Sequence, residues 1–468
     1  GQEGPAGTTG SAAAPPNAPN IVIITIDTFR TDFLGAYGNP HVYTPHMDRF
    51  ARGGTQMLRA LSSIPITLPS HATLMTGTHP ATHGIYNNGF AFAQPERNVL
   101  AGHLRALGYR TAAFVSAFPL HDSFGLSAGF DVYDDETDQA TFLSQYQFRK
   151  FLNESSTGAI LKRQGRPVLS HRVAERAGEG VWNAAREWLD AEGDQPFFLW
   201  LHFYDPHAPY APGEVFEKLY AERTVLGGGY ELADIEVPVY ARLKHASDMA
   251  TYRALYAGEV TRIDRVIGEM SAYFDKRDWT ERTLFALTSD HGEGLGSHDV
   301  LVHTPRIYEE QTSVPLFMRG PGIEPGALSK VPVRLVDLAP TLLAFGSLPP
   351  LPETDGRIVH IAEGSEDSEF LHVAETPVDG GRRSIENGEW KLIHALQSDS
   401  YELFRHADDP GETRDRIADR EADGAFRALR DLLATIPTGL GTGDGGDPED
   451  LPEAAREKLR GLGYLNDD

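Results

Sequence analysis

Two carboxylates stand at the ends of apolar, β-branched runs, a placement that suits metal ligation. The run from Asn20 to Ile26 stops at Asp27, and the run from Thr283 to Ser289 stops at Asp290, with His291 next. Runs of this kind read as buried strands, and open α/β sheets place their chemistry at the C-terminal strand ends. An aspartate there can instead cap the following helix, but the repeated design favours ligation. A third run, Phe197 to Phe203, leads into Tyr204-Asp205-Pro206-His207. A hydroxyl joins the set: Thr67 opens a stretch through Ser70-His71 to Thr76-Gly77 that reads as a helix, where a threonine can cap the N-terminus and that terminus favours an anion.

These residues belong to a longer series of motifs. Asp27-Thr-Phe-Arg30 and the Thr67 segment are followed by Tyr204-Asp-Pro-His-Ala-Pro-Tyr210, Ser289-Asp-His-Gly-Glu293 and Val314-Pro-Leu-Phe-Met-Arg-Gly-Pro-Gly322. Leu335-Val-Asp-Leu-Ala-Pro-Thr-Leu-Leu343 and Leu459-Arg-Gly-Leu-Gly-Tyr-Leu465 close the series. Each is weak alone; in this order they resemble the sulfatase and alkaline phosphatase superfamily from about Pro19 to Leu465. The resemblance implies an alkaline phosphatase-like α/β fold, with a large mixed, mostly parallel sheet flanked by helices and a small C-terminal antiparallel subdomain. It puts Thr67 where sulfatases carry the residue that matures into formylglycine. With threonine in that slot and no cysteine in the chain, formylglycine is excluded. Ser63-Ile-Pro65 resembles a competing start, but Thr67 stands where its arginine should be, and the spacing to Thr76-Gly77 favours Thr67.

Threonine-nucleophile phosphodiesterases and phosphomutases are the closer comparison. Their first ion is held by two aspartates, a histidine and the nucleophile oxygen, which maps onto Asp27, Asp290, His291 and Thr67. A second ion takes an aspartate and two histidines, for which Asp205, His207 and His303 are the candidates. Relatives space the aspartate and histidine by four residues, whereas Asp205 and His207 are two apart. Thr28 replaces a second acidic ligand of sulfatases and His303 replaces a lysine; imidazole donors suit two zinc ions, with manganese or calcium as alternatives. Asn88, about twenty residues beyond the nucleophile, is the expected donor to a non-bridging oxygen, ahead of Asn87. His71, in the arginine slot of sulfatases, is the other substrate-binding candidate, with helix packing as its alternative. His202 and His298 read as structural, and Arg30 and Lys391 as ion-pair partners.

The expected reaction is hydrolysis of a phosphodiester or phosphonate monoester through a phosphothreonine. A threonine hydroxyl is a poor nucleophile at neutral pH, and a divalent ion lowers its pKa. A second ion, or protonated His303, would neutralise the departing oxygen. A sulfothreonine lacks formylglycine's hemiacetal exit, which disfavours sulfate. A sulfatase, or a phosphoethanolamine- or phosphoglycerol-type transferase, is the alternative. A non-enzymatic protein on the same fold is disfavoured by the joint presence of Asp27, Thr67, Asp290 and His291.

Strands alternating with helical stretches supply the scaffold. Asn98 to Gly108 reads as an amphipathic helix closed by glycine, followed by a strand from Thr111 to Val115. Residues 20–350 form the expected catalytic domain, with polar insertions near 134–193 and 213–250 walling the site. Residues 351–468 form the C-terminal subdomain, with strands near Phe370 to Glu375, Arg382 to Ile385, Trp390 to His394 and Tyr401 to Phe404, and a terminal helix from Pro452 to Gly461. At 468 residues and 40% hydrophobic content, the chain can bury one large core and a smaller one. A net charge of −25 opposes binding to nucleic acid or anionic membranes. It does not oppose a small, glycan-linked or lipid-linked phosphoester, because bound cations dominate the local field. No stretch is apolar enough to span a bilayer. Residues 1–19, rich in Gly, Ala, Pro, Ser and Thr, read as a disordered leader or tether of an exported enzyme, periplasmic, secreted or lipid-anchored.

Overall fold

The computed structural model describes residues 14–89, 99–136, 176–191, 195–221, 235, 237–238, 241–243, 248–362 and 370–440. The leader to residue 13, most of both expected insertions, and the expected terminal helix with its Leu459–Leu465 motif lie outside them.

The main sheet contains β1 (Asn20–Ile26), β2 (Thr55–Leu61), β3 (Arg110–Phe114), β4 (Val132–Asp134), β5 (Phe197–Phe203), β6 (Thr283–Ser289), β7 (Ser313–Arg319), β8 (Ala327–Ser329) and β9 (Val333–Arg334). Its order is β4-β3-β5-β1-β6-β7-β2-β8, with β9 also on β2. The pairs from β4 to β6 are parallel, and β7 runs against both β6 and β2. The three central strands β5, β1 and β6 are buried at all seven positions each. They read as unbroken apolar runs because both faces are covered.

Helices cover those faces: α1 (Pro45–Arg52), α2 (Thr67–Thr76), α3 (Leu100–Ala106), α4 (Gly178–Asp190), α5 (Met249–Lys276) and α6 (Leu338–Phe345). Ile21 and Ile23 of β1 share one core with Leu68, Ala72 and Met75 of α2, Leu104 of α3 and Leu342 of α6. Val22, Ile24 and Ile26 share the other with Phe50 of α1, Trp182 of α4 and Ile263 of α5. The alternation along β1 thus divides helices between two layers. Helix α4 lies inside the segment expected to wall the site, yet Val181, Trp182, Ala185 and Leu189 form an apolar stripe that packs on the sheet instead.

A second sheet, β10 (His372–Thr376), β11 (Arg382–Glu386), β12 (Trp390–Ala395) and β13 (Ser400–Arg405), is an antiparallel meander. It packs Ile385, Leu392 and Leu403 against Leu429 and Leu433 of α7 (Asp423–Thr435). The fold is therefore the expected α/β class with a small antiparallel sheet. The two sheets are tied together by the Glu375 amide, which donates to the Ser63 carbonyl at 2.9 Å, and the Thr376 hydroxyl, which donates to the Thr304 carbonyl at 2.6 Å.

Candidate active site

Strand register gathers the first set of candidates. Ile26 pairs with both Ser289 and Phe203, so Asp27, Asp290 and Tyr204 leave three adjacent strands at one edge. Asp27, Asp290 and His291 are buried, and one ligand atom from each lies within 4.8 Å of the others. Asp290 Oδ1 accepts from the backbone amides of His291 at 2.8 Å and Thr28 at 3.2 Å. Its Oδ2 has no hydrogen-bond partner and sits 3.3 Å from His291 Nε2, which also lacks one. His291 Nδ1 lies 3.0 Å from the Gly292 carbonyl. That contact places the proton on Nδ1 and leaves Nε2 as a lone-pair donor.

Thr67 is the first residue of α2, and Ile66 occupies the N-cap position. The Thr67 hydroxyl therefore caps nothing; it is buried without a partner. Helix α2 is fixed against the metal-ligand edge, since the Ser70 hydroxyl donates to the Asp290 carbonyl at 2.7 Å. Both Asp27 oxygens are likewise buried and unpartnered, with His202 Nε2 3.4 Å from Oδ2 but not bonded to it.

These orphaned atoms test whether the residues suit a metal. An uncompensated buried carboxylate costs several kcal/mol, of the order at which a group neutralises instead. Burial pushes the Asp27 carboxyl up to about 8, against the attraction of His303, and pushes Asp290 well above its usual range with added repulsion from Asp27. A divalent cation removes that penalty, and carboxylate and imidazole donors on three neighbouring residues match one, with the unpartnered Thr67 hydroxyl on the helix bonded to Asp290. The residues present fit the ion.

The second expected set does not assemble. Asp205 Oδ2 accepts from the Gly178 amide at the start of α4 at 2.9 Å, and Oδ1 lies 3.6 Å from Arg262 of α5. Asp205 thus serves a helix N-terminus and an ion pair. Among the described residues, Asp205, His207 and His303 form no convergent ligand group. The expected second ligand set is therefore not gathered in this structure, where Asp205 is held by Gly178 and Arg262. His207 and His303 do meet, with ring centroids 5.0 Å apart, and the His303 ring is 4.4 Å from that of His291. His207 also stacks on Tyr204 at 4.2 Å.

His71 departs from its expected role as a substrate contact. Its Nδ1 lies 2.7 Å from the Thr67 carbonyl, and its Nε2 3.0 Å from Thr25 Oγ1, which accepts from Trp200 Nε1 at 3.0 Å. The Thr25 hydroxyl therefore donates to Nε2, and both ring nitrogens are used. Burial, with neighbouring His202, holds the ring neutral, well below its ordinary pKa. His71 orients α2. Asn88 Oδ1 accepts from the Leu68 amide at 2.9 Å, and its buried Nδ2 has no partner.

Two further residues stand at the site. Glu293 is fully buried and its Oε1 lies 3.3 Å from His303 Nδ1. Burial opposes a charge on His303, but the Glu293 charge and hydrogen bond raise its pKa above the ordinary value. Thr28 adopts φ 52° with its hydroxyl buried and unpartnered. A β-branched residue in the left-handed region is strained, and such strain collects at functional sites. Its position directly after Asp27 was the available signal. Arg30, by contrast, is an ion-pair partner of Asp32 at 2.8 Å, and Lys391 of Glu412 at 2.9 Å.

The sulfatase family model matches residues 19–346. The choline-sulfatase of Rhizobium meliloti is 27% identical, across 88% of this chain and 86% of that protein. A solved structure in complex with its substrate D-glucosamine-2-N,6-O-disulfate superposes with a TM-score of 0.73 at 18% identity, covering 93% of this chain and 100% of the other. The phosphonate monoester hydrolase of Agrobacterium radiobacter gives a TM-score of 0.69 at 22% identity, covering 91% and 97%. The two superpositions demonstrate a common fold.

Proposed function

Because the chain belongs to the sulfatase family, whose matched proteins include sulfatases and a phosphonate monoester hydrolase, we propose that it is a metal-dependent hydrolase of phosphodiesters or phosphonate monoesters with Thr67 as nucleophile. One observation carries the reading. In a chain without cysteine, the hydroxyl in the nucleophile slot is buried and unpartnered, in company with the unpartnered ligand atoms of Asp27, Asp290 and His291.

A divalent ion held by those four residues, zinc by its donor set, would supply the Lewis acidity that lowers the hydroxyl's pKa and draws charge from the phosphoryl oxygens. The chain's own groups do the remainder. Thr67 Oγ1, its proton lost to solvent, attacks phosphorus as the bond to the leaving alcohol breaks, giving a phosphothreonine. Asn88 Nδ2 donates to a non-bridging oxygen. His303 Nε2 gives a proton to the departing oxygen; water then attacks the same phosphorus, its proton returns to His303, and Thr67 Oγ1 is released. A neutral amide facing the reacting centre, with no arginine in the His71 slot, favours a singly charged diester over a dianionic monoester. The Gly-, Ala- and Pro-rich composition of residues 1–19 supports an exported enzyme, and no helix among the described residues is long and apolar enough to cross a membrane.

The sulfate-ester reading is favoured by the activities named for the choline-sulfatase and the disulfate-bound structure. Matched aryl phosphodiester, phosphonate, phosphate monoester and sulfate substrates separate the two, assayed with wild type and Thr67→Ala and with bound metal quantified. We expect diester or phosphonate turnover to lead, to fall by at least about 10³-fold in Thr67→Ala, and to accompany about one ion per chain. Faster sulfate turnover, or activity that survives the substitution, would overturn the proposal.

A further inference from the structure

Glu293 is a fully buried carboxylate to which the reaction outlined above gives no task. Three donors converge on it, two of them from other segments. The Tyr210 hydroxyl donates to Oε2 at 3.1 Å, while the Gly294 amide and His303 Nδ1 each lie 3.3 Å from Oε1. Its backbone is held as well: Arg30 Nη1 donates to the carbonyls of Glu293 and Gly294, both at 2.8 Å. A carboxylate whose two oxygens are already engaged is poorly placed to ligate, and the convergent ligand group holds Asp27, Asp290 and His291 without it.

His303 is where this anchoring leads. An imidazole whose Nδ1–H is taken by a fixed carboxylate presents Nε2 in one direction and in one tautomer. The His303 ring lies 4.4 Å from that of His291, and its Nε2 is on the side of the ring away from Nδ1 and Glu293. We propose that Glu293 is the positioning residue of His303, locking the Nδ1–H side of the ring so that Nε2 meets the departing oxygen of the phosphoester. The inference rests on the phosphoester reading. As the phosphorus–oxygen bond breaks, its electron pair takes the Nε2 proton. The ring, now neutral and still bonded to Glu293 through Nδ1–H, recovers a proton from the water that cleaves the phosphothreonine.

The test is a leaving-group series of aryl phosphodiesters, with leaving-group pKa from about 7 to about 10. It is run on wild type, Glu293→Gln, Glu293→Ala, His303→Ala, Glu293→Ala/His303→Ala and Thr67→Ala, with metal content measured throughout. A positioning role predicts that Glu293→Ala and His303→Ala lower kcat by about 10²-fold for the poorest leaving group and little for the best. KM and bound metal stay unchanged, the double variant is no worse than His303→Ala, and Glu293→Gln, whose carbonyl still accepts Nδ1–H, retains most activity. Equal losses across the series, multiplying losses in the double variant, or metal loss in Glu293→Ala would each overturn the inference. Should Glu293→Ala not fold, nitrogen NMR of neutral His303 decides: a proton on Nδ1 supports the role and one on Nε2 rejects it. Activity that survives Thr67→Ala sinks the phosphoester reading itself, a result distinct from failure at Glu293.

Discussion

The two oxygens of Asp290 differ: backbone amides of Thr28 and His291 hold Oδ1, and Oδ2 has no hydrogen-bond partner, as the proposed cation requires. Asp290→Asn keeps the shape and removes the charge, so bound metal should fall at least about 10-fold with the fold intact, read by metal analysis and circular dichroism. Asn88→Ala removes the unpartnered amide donor and should lower kcat by about 10²-fold with little change in KM. Stability against pH is a further residue-scale consequence. In metal-free protein the folded pKa of Asp27 is about 8 against an ordinary 3.8, and that of Asp290 is raised too. The folded chain then holds protons that the unfolded chain releases, so the contribution of these two groups to stability is fullest below about pH 4 and is lost as pH rises toward about 8. Denaturant unfolding of chelated and metal-loaded protein from about pH 5 to 8 should show this decline in the chelated sample, and the loaded sample should resist it.

Between elements, the contacts that matter are those that lock loops carrying the ligands. A Cβ on Gly292 would meet the Glu310 carbonyl oxygen at 1.9 Å, so the loop after His291 passes where only glycine fits. Gly292→Ala should displace His291 and reduce metal binding and activity together, measurable in one titration. The small sheet is joined to the large one by half-buried Arg59, and a buried ion pair lies within the C-terminal part. Arg59 of β2 reaches Glu386 of β11 at 2.9 Å and Glu309 at 3.0 Å, while Lys391 of β12 pairs with Glu412. Lys391→Met should destabilise by about 3–5 kcal/mol, because it strands Glu412 as an unpaired buried charge. Adding Glu412→Gln should recover most of that loss, a coupling that a double-mutant cycle by denaturant unfolding would measure.

Over the whole molecule, a net charge of −25 surrounds the site, which under the proposed function would admit an anion. The global field opposes entry while the bound ion draws the substrate at short range, and salt screens the first more than the second. For an anionic diester, kcat/KM should therefore rise several-fold between about 10 and 150 mM ionic strength, whereas kcat stays level. A flat or falling kcat/KM would show that the local cation alone governs entry.

Much of this arrangement is legible in the chain itself. Buried parallel strands are nearly continuous apolar runs, so a carboxylate that ends one is conspicuous, as at Asp27 and Asp290; the order of motifs points to Thr67, and the distance beyond it to Asn88. Strand pairing then had to place the two aspartates side by side, which the matched ends of β1 and β6 accomplish. Tertiary structure decided what local spacing cannot express. Asp205 and His207 are neighbours in sequence, yet α4 and α5, distant along the chain, supply Asp205 with Gly178 and Arg262. His71 reads equally as a substrate contact or a packing residue of its helix, and Thr25, itself bonded by Trp200, engages its far nitrogen. Glu293 gained its meaning from Tyr210 and His303, which reach it from other loops. A residue's chemistry is written locally, but the partner that spends or frees it is chosen by packing between elements far apart in sequence.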